Sequence, residues 1–221
     1  MDSSERSIEE NTTKSPIWRD KLLLTLLTIA VIGVVLQITL GGVVRVTGSG
    51  DGCPDWPTCF GKVFPPLDQE TIDLLYDGPR QTTPRPHNVI LEYSHRTNGS
   101  LIGLIIIAAM IRAWTRHRAT KVVAWLLTTE FILITIVGGI GGAVVLSDLD
   151  PAIRTVHLFL AEIVILFGVM ALIAALYGRQ SSVVGTSKWM WGRVNDEHRS
   201  ALMLSVTAGI FTLIALLSGS Y

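Results

Sequence analysis

The sequence is divided into long apolar blocks, and that property decides what the chain can become. Each block can cross about 30 Å of hydrocarbon as a helix rising about 1.5 Å per residue. A helix also satisfies its own backbone hydrogen bonds where no water is present to do so. We read spans at 22–44, 88–112, 121–146, 152–176 and 200–220. The first is too long in its apolar stretch for a cleaved signal peptide, and no small-residue cleavage site follows before Arg45, so it is expected to remain as a helix. The fold class is therefore all-α, an integral membrane helical bundle. Its expected parts are an N-terminal segment 1–21, a four-helix body 22–176 with a long loop 45–87, a connection 177–199 and a fifth transmembrane helix within 200–221.

Positive charges give the expected orientation. Arg6, Lys14, Arg19 and Lys21 precede the first span; Arg112, Arg116, Arg118 and Lys121 crowd the second connection; Arg179, Lys188, Arg193 and Arg199 lie in the fourth. Those sides read as cytoplasmic in a multi-pass protein of the plasma membrane, with loop 45–87 outside. The balance of 18 Lys+Arg against 18 Asp+Glu hides this asymmetry. Nothing in it suits nucleic acid, and membrane lipid is the expected surround.

Two histidines lie inside apolar spans, each accompanied by an arginine: His95 in Glu92-Tyr93-Ser94-His95-Arg96, and His157 in Arg154-Thr155-Val156-His157. Ionisable groups in hydrocarbon are costly and usually functional. Asp150 as N-cap and Pro151 at the first helical position would start the fourth span about two turns before His157. Pro86 discourages earlier helix and Asn88 can cap, which predicts a similar outer depth for His95. At helical spacing His95 has Glu92 above and Gly99, Gly103 and Ile106 below; His157 has Arg154 above and Ala161, Val164 and Gly168 below. Small residues beneath a histidine leave room for a flat metal-bearing macrocycle such as heme. They equally permit close helix packing, with the histidines bonding a neighbouring helix. For a heme, Arg45, Arg96 and Arg154 would lie where propionates can take forked hydrogen bonds, or they would snorkel to lipid phosphates. His87, His117 and His198 read as loop residues.

The only cysteines, Cys53 and Cys59, sit in a short proline-stiffened loop on the predicted outer side. There they should pair, closing a ring worth on the order of 2 kcal/mol in the loop-entropy estimate. Zinc would need more ligands, and a redox role lacks the Cys-x-x-Cys spacing. The segment 67–76 reads as a short amphipathic helix lidding the outer ends. Glu130 and Glu162 fall near mid-membrane, where each should be protonated or hydrogen-bonded. The Gly138-Gly139 and Gly141-Gly142 pairs read as close helix contact, and Gln37 as a bond to a neighbouring helix.

Four segments taken in order resemble the heme A synthase family. They are Gly41-Gly42-Val43-Val44-Arg45-Val46-Thr47-Gly48-Ser49-Gly50, Cys53-Pro54-Asp55-Trp56-Pro57-Thr58-Cys59, Glu92-Tyr93-Ser94-His95-Arg96 and Val156-His157-Leu158. The resemblance implies an oxidoreductase that converts a ring methyl of heme O to the formyl group of heme A for terminal oxidases. It implies His95 and His157 as axial ligands of the substrate heme iron, Glu92 in the chemistry, and Cys53–Cys59 as an outer disulfide. A bis-histidine iron has no open position for oxygen, so water is the implied oxygen source, with electrons leaving to another acceptor.

The usual family member has eight spans in two similar halves, and this chain resembles one half plus a helix. Leu217-Ser218-Gly219-Ser220 echoes Leu40-Gly41-Gly42-Val43, so the fifth span reads as the start of a second repeat. A second histidine pair, expected to hold heme b, would then lie on a continuation of the chain, on a second half-chain or on another copy in a homo-oligomer. Heme O synthase and terminal oxidase assembly factors are the implied partners. Two other classes fit parts of the sequence. A heme-b electron-transfer subunit explains the histidines but not Glu92 or the Cys loop, and a quinone-linked thiol oxidant explains the cysteines but not the histidines.

Overall fold

The structure, a computed structural model, describes residues 17–78, 83–117 and 121–181; the expected fifth span lies outside them. Four long helices carry the fold: α1 (Lys21–Val46), α3 (Pro86–Arg116), α4 (Lys121–Leu146) and α5 (Pro151–Ser181), with the short α2 (Gln69–Leu75) between the first two. All four are long and apolar enough to cross a membrane, which makes this a multi-pass membrane protein. Leu101, Leu104, Ile132, Leu166 and Ile173 on their outer faces are exposed, as lipid-facing positions are.

Each helix starts where a side chain or a proline relieves its unpaired N–H groups. Asp20 caps α1 by accepting the Leu23 N–H at 3.1 Å. Asp150 caps α5 through the Ala152 and Ile153 N–H groups at 2.9 and 3.0 Å, with Pro151 in the first position, as the sequence predicts. The start of α3 differs from the expectation. The helix begins at Pro86 itself, whose missing N–H is no loss in a first turn. Asn88 is inside it, accepting the Arg85 N–H at 3.1 Å and donating to the Ser49 hydroxyl at 2.9 Å.

The long helices close a ring in which α1 packs on α3 and α5, and α4 packs on the same two. The diagonal pairs, α1 with α4 and α3 with α5, barely touch among the described residues. Two apolar clusters fill the interior. Leu23, Leu27, Ala109, Ala113, Val123, Leu127 and Ala171 pack at one end, and Ala30, Val34, Ile102, Ile106, Val137 and Val164 in the middle. The other end is roofed by the segment 47–78, whose own core of Cys53, Cys59, Phe60 and Ile72 packs on Val89 of α3. Asp68 caps α2 by accepting the Thr71 N–H at 2.8 Å.

His117 departs from the reading of a loop histidine. It is buried at the end opposite the roof, where its ring and Arg112 both bind the Asp20 carboxylate at 2.8 Å. Burial alone would raise the Asp20 carboxyl, but hydrogen bonds from Arg112, His117 and the Leu23 N–H, with the Arg112 charge, outweigh it and hold it at about 2.

Candidate functional site

His95 and His157 stand on the diagonal helices α3 and α5, which barely touch each other among the described residues. Each ring lies on a glycine of the other diagonal. A Cβ built on Gly41 of α1 would come within 3.0 Å of His95 Cε1, and one on Gly141 of α4 within 3.0 Å of His157 Cε1. Any larger residue at either glycine would push the imidazole aside.

The two rings are held by different nitrogens. His157 Nδ1 lies 3.1 Å from the Val137 carbonyl, which can only accept, so Nδ1 carries the proton and the Nε2 lone pair is left to a ligand. His95 is held the other way. The Gln37 side-chain amide donates to His95 Nε2 at 3.2 Å, and Asn98 in turn donates to Gln37 Oε1 at 2.8 Å. His95 Nδ1 is buried with no hydrogen-bond partner among the described residues.

One turn above His95, Glu92 is buried and accepts the Cys53 N–H at 2.8 Å and a hydrogen bond from Arg96. Arg96 also donates to the carbonyls of Asp55 at 2.6 Å, Thr58 at 2.8 Å and Cys53 at 3.3 Å. The Glu92–Arg96 pair therefore fastens the cysteine loop over the site. Inside that loop Asp55 accepts from the Thr58 hydroxyl and from the Phe60 and Gly61 N–H groups at 2.5 and 3.0 Å. Burial raises the Asp55 carboxyl, but these bonds outweigh it and hold it below the usual carboxylate range. Trp56 rests against Gly142, where a Cβ would come within 2.6 Å of the indole, beside the glycine that cradles His157. Cys53 and Cys59 form a disulfide with Cα atoms 4.8 Å apart, and both are fully buried, which does not suit an exchanging thiol pair.

Arg45 and Arg154 are half-buried at this same end, while Arg96 is engaged by the loop. Away from the site, Glu130 is buried beside Gly168, its carboxyl without a hydrogen-bond partner among the described residues, and Glu162 is half-buried. No group of three His, Cys, Asp or Glu with metal-binding spacing occurs among the described residues. Sequence reasoning placed both histidines and Glu92 at one end, but missed Asn98 and the roles of Gly41 and Gly141. One available signal was the repeat of Gly41-Gly42-Val43-Val44 as Gly141-Gly142-Ala143-Val144 at corresponding helix ends.

Fold and site together define a polytopic helical membrane protein in which two imidazoles from diagonal helices lie against glycines near one roofed end. More narrowly, the chain belongs to the COX15-CtaA family, whose family model, described as "Cytochrome oxidase assembly protein", matches residues 24–221. It is similar to a heme A synthase of Shouchella clausii, 27% identical over 86% of this chain and 55% of that protein. It is also similar to one of an Exiguobacterium species, 36% identical over 57% and 36%, and one of Halalkalibacterium halodurans, 34% identical over 62% and 40%. The chain thus spans about half the length of the curated relatives it matches. No solved structure matches it.

The family implies heme binding, and the residues present fit that group. His95 and His157 each lie against a glycine, and each carries its ring lone pair on Nε2, His157 because its Nδ1–H meets the Val137 carbonyl and His95 because the Gln37 amide donates to Nε2.

Proposed function

We propose that this chain forms the substrate half of a heme A synthase, serving cytochrome oxidase assembly by oxidising a ring methyl of heme O to a formyl group. The observation that carries the reading is the pair of glycine-cradled imidazoles, His95 and His157, on the two diagonal helices at one end of the bundle. These two residues would hold the heme iron through their Nε2 atoms. When bound, the heme supplies the methyl carbon to be oxidised and the ring through which electrons leave.

The chain's own groups do the rest. The loop that carries the buried disulfide covers this end of the bundle, with the Trp56 indole against Gly142. Glu92 stands one turn from His95, and a carboxylate offers about four acceptor positions. It can therefore take a proton at Oε1 or Oε2 while keeping its bonds to Arg96 and the Cys53 N–H. Arg45 and Arg154 are the residues suited to the propionates, with Arg96 reaching them only through donors the loop does not use. The reading places the roofed end outside the plasma membrane. It leaves electron acceptance to a heme b on a second histidine pair, in a continuation of the chain or in a partner chain, with heme O synthase upstream.

The test is heme content and spectrum of purified protein with His95→Ala and His157→Ala separately. Each should abolish the six-coordinate low-spin signal of heme O added to the chain. Unchanged low-spin spectra and heme content in both would reject the reading.

A further inference from the structure

The two proposed ligands differ in readiness. His157 is held through Nδ1 by a backbone carbonyl that cannot move independently of α4, and its Nε2 lone pair is available at all times. His95 has the lone pair on the same atom, Nε2, because an amide N–H can only donate; that lone pair is already taken by Gln37. Gln37 is itself fixed. Asn98 of α3 holds its oxygen at 2.8 Å, and its amide nitrogen lies over Gly99, where a Cβ would come within 3.0 Å. The result is a three-residue relay, Asn98 to Gln37 to His95, with no counterpart on His157 among the described residues.

We infer that Gln37 is a positioning residue that competes with heme iron for His95 Nε2, making His95 the exchangeable ligand and His157 the standing one. The inference rests on the proposed heme site. Iron cannot bind His95 Nε2 while Gln37 donates to it, so loading proceeds on His157 first and is completed when His95 gives up Gln37. Release runs in reverse: Gln37 captures the Nε2 lone pair as it leaves the iron and prevents recapture. Such a device suits a heme that is a substrate and must depart as product, and it would be out of place at a permanent cofactor. Asn98 sets how well it works by holding the amide in the donating orientation.

The experiment measures transfer of ferric heme O from the full 221-residue chain to excess apomyoglobin, with the bound spectrum recorded beforehand. The variants are Gln37→Leu, which keeps bulk without the donor, and Asn98→Ala, which leaves Gln37 in place but unanchored. Losing one competing hydrogen bond should slow heme loss by about threefold to tenfold in Gln37→Leu, with a smaller slowing in Asn98→Ala and a larger low-spin fraction in both. Should Gln37→Leu not fold, Asn98→Ala decides alone. Rates within twofold of the unaltered chain, or faster loss, overturn the proposal. If heme O binding in the unaltered chain is indifferent to His95→Ala and His157→Ala, the heme-site reading itself fails and takes this one with it; a failure confined to Gln37 and Asn98 leaves that reading standing.

Discussion

Glu92 shows how much of a site can rest on one side chain. Its carboxylate is placed both to take a proton near His95 and to fasten the roof, because Cys53 and Arg96 converge on it from the loop and from the next turn. Glu92→Gln separates these roles, since the amide keeps the size and an acceptor oxygen but loses the charge and the capacity to take a proton. If the carboxylate acts in the oxidation, the variant of a complete synthase should retain bound heme and stop at heme O or a partly oxidised alcohol, with heme A reduced at least roughly tenfold. If it only clamps the loop, protein yield falls while heme A per bound heme stays normal; pigment chromatography normalised to heme content decides. Residues of this kind were legible in the sequence because a charged or titratable group is too costly inside an apolar span to stand there without a task. Gln37 was legible only as a polar residue that must bond something, and Asn98 not at all. An amide's partner is fixed by the rotation of two helices about each other, and that is not written in either helix alone.

The same limit and the same success recur among the helices. The four described long helices and their approximate ends follow from apolar length and from Asp150-Pro151, but the ring order that leaves α3 and α5 on a diagonal follows from packing. The Asp20 clamp is a product of that packing. It joins the cap of α1 to Arg112 in the last turns of α3 and to His117 just beyond, residues more than 90 positions apart. Because the folded-state carboxyl lies at about 2, below its ordinary 3.8, its contribution is fully present above about pH 4 and is lost as the pH falls through about 2. Asp20→Asn removes that contribution and leaves half-buried Arg112 and buried His117 donors poorly matched. The variant should melt several degrees below the unaltered protein in detergent at pH 6, a difference that narrows between pH 4 and pH 2. A constant difference across that interval, measured by circular dichroism, would assign the loss to packing instead of to the carboxylate charge.

For the molecule as a whole, the remaining choice is which end faces the cytoplasm, and the two ends differ in the sign of their charge. The short connection between α3 and α4 carries Arg116, Arg118 and Lys121 close behind Arg112, and Arg19 and Lys21 lie at the same end. At the roofed end the turn between α4 and α5 has Asp148 and Asp150 and no Lys or Arg. The long loop spreads Lys62, Arg80 and Arg85 among six acids: Asp51, Asp55, Asp68, Glu70, Asp73 and Asp77. Because orientation is set by Lys and Arg in short segments flanking the spans and hardly at all by acids, the first end should be retained in the cytoplasm. The buried Cys53–Cys59 disulfide agrees, since such a bond persists where the surroundings are oxidising. Fusions placed after residue 78 and after residue 118 read the orientation directly. Alkaline phosphatase should be active at the first and inactive at the second, and green fluorescent protein the reverse. The opposite pattern would put the histidine pair in the cytoplasmic half of the membrane, where the proposed site would have to receive and release heme on the inner side.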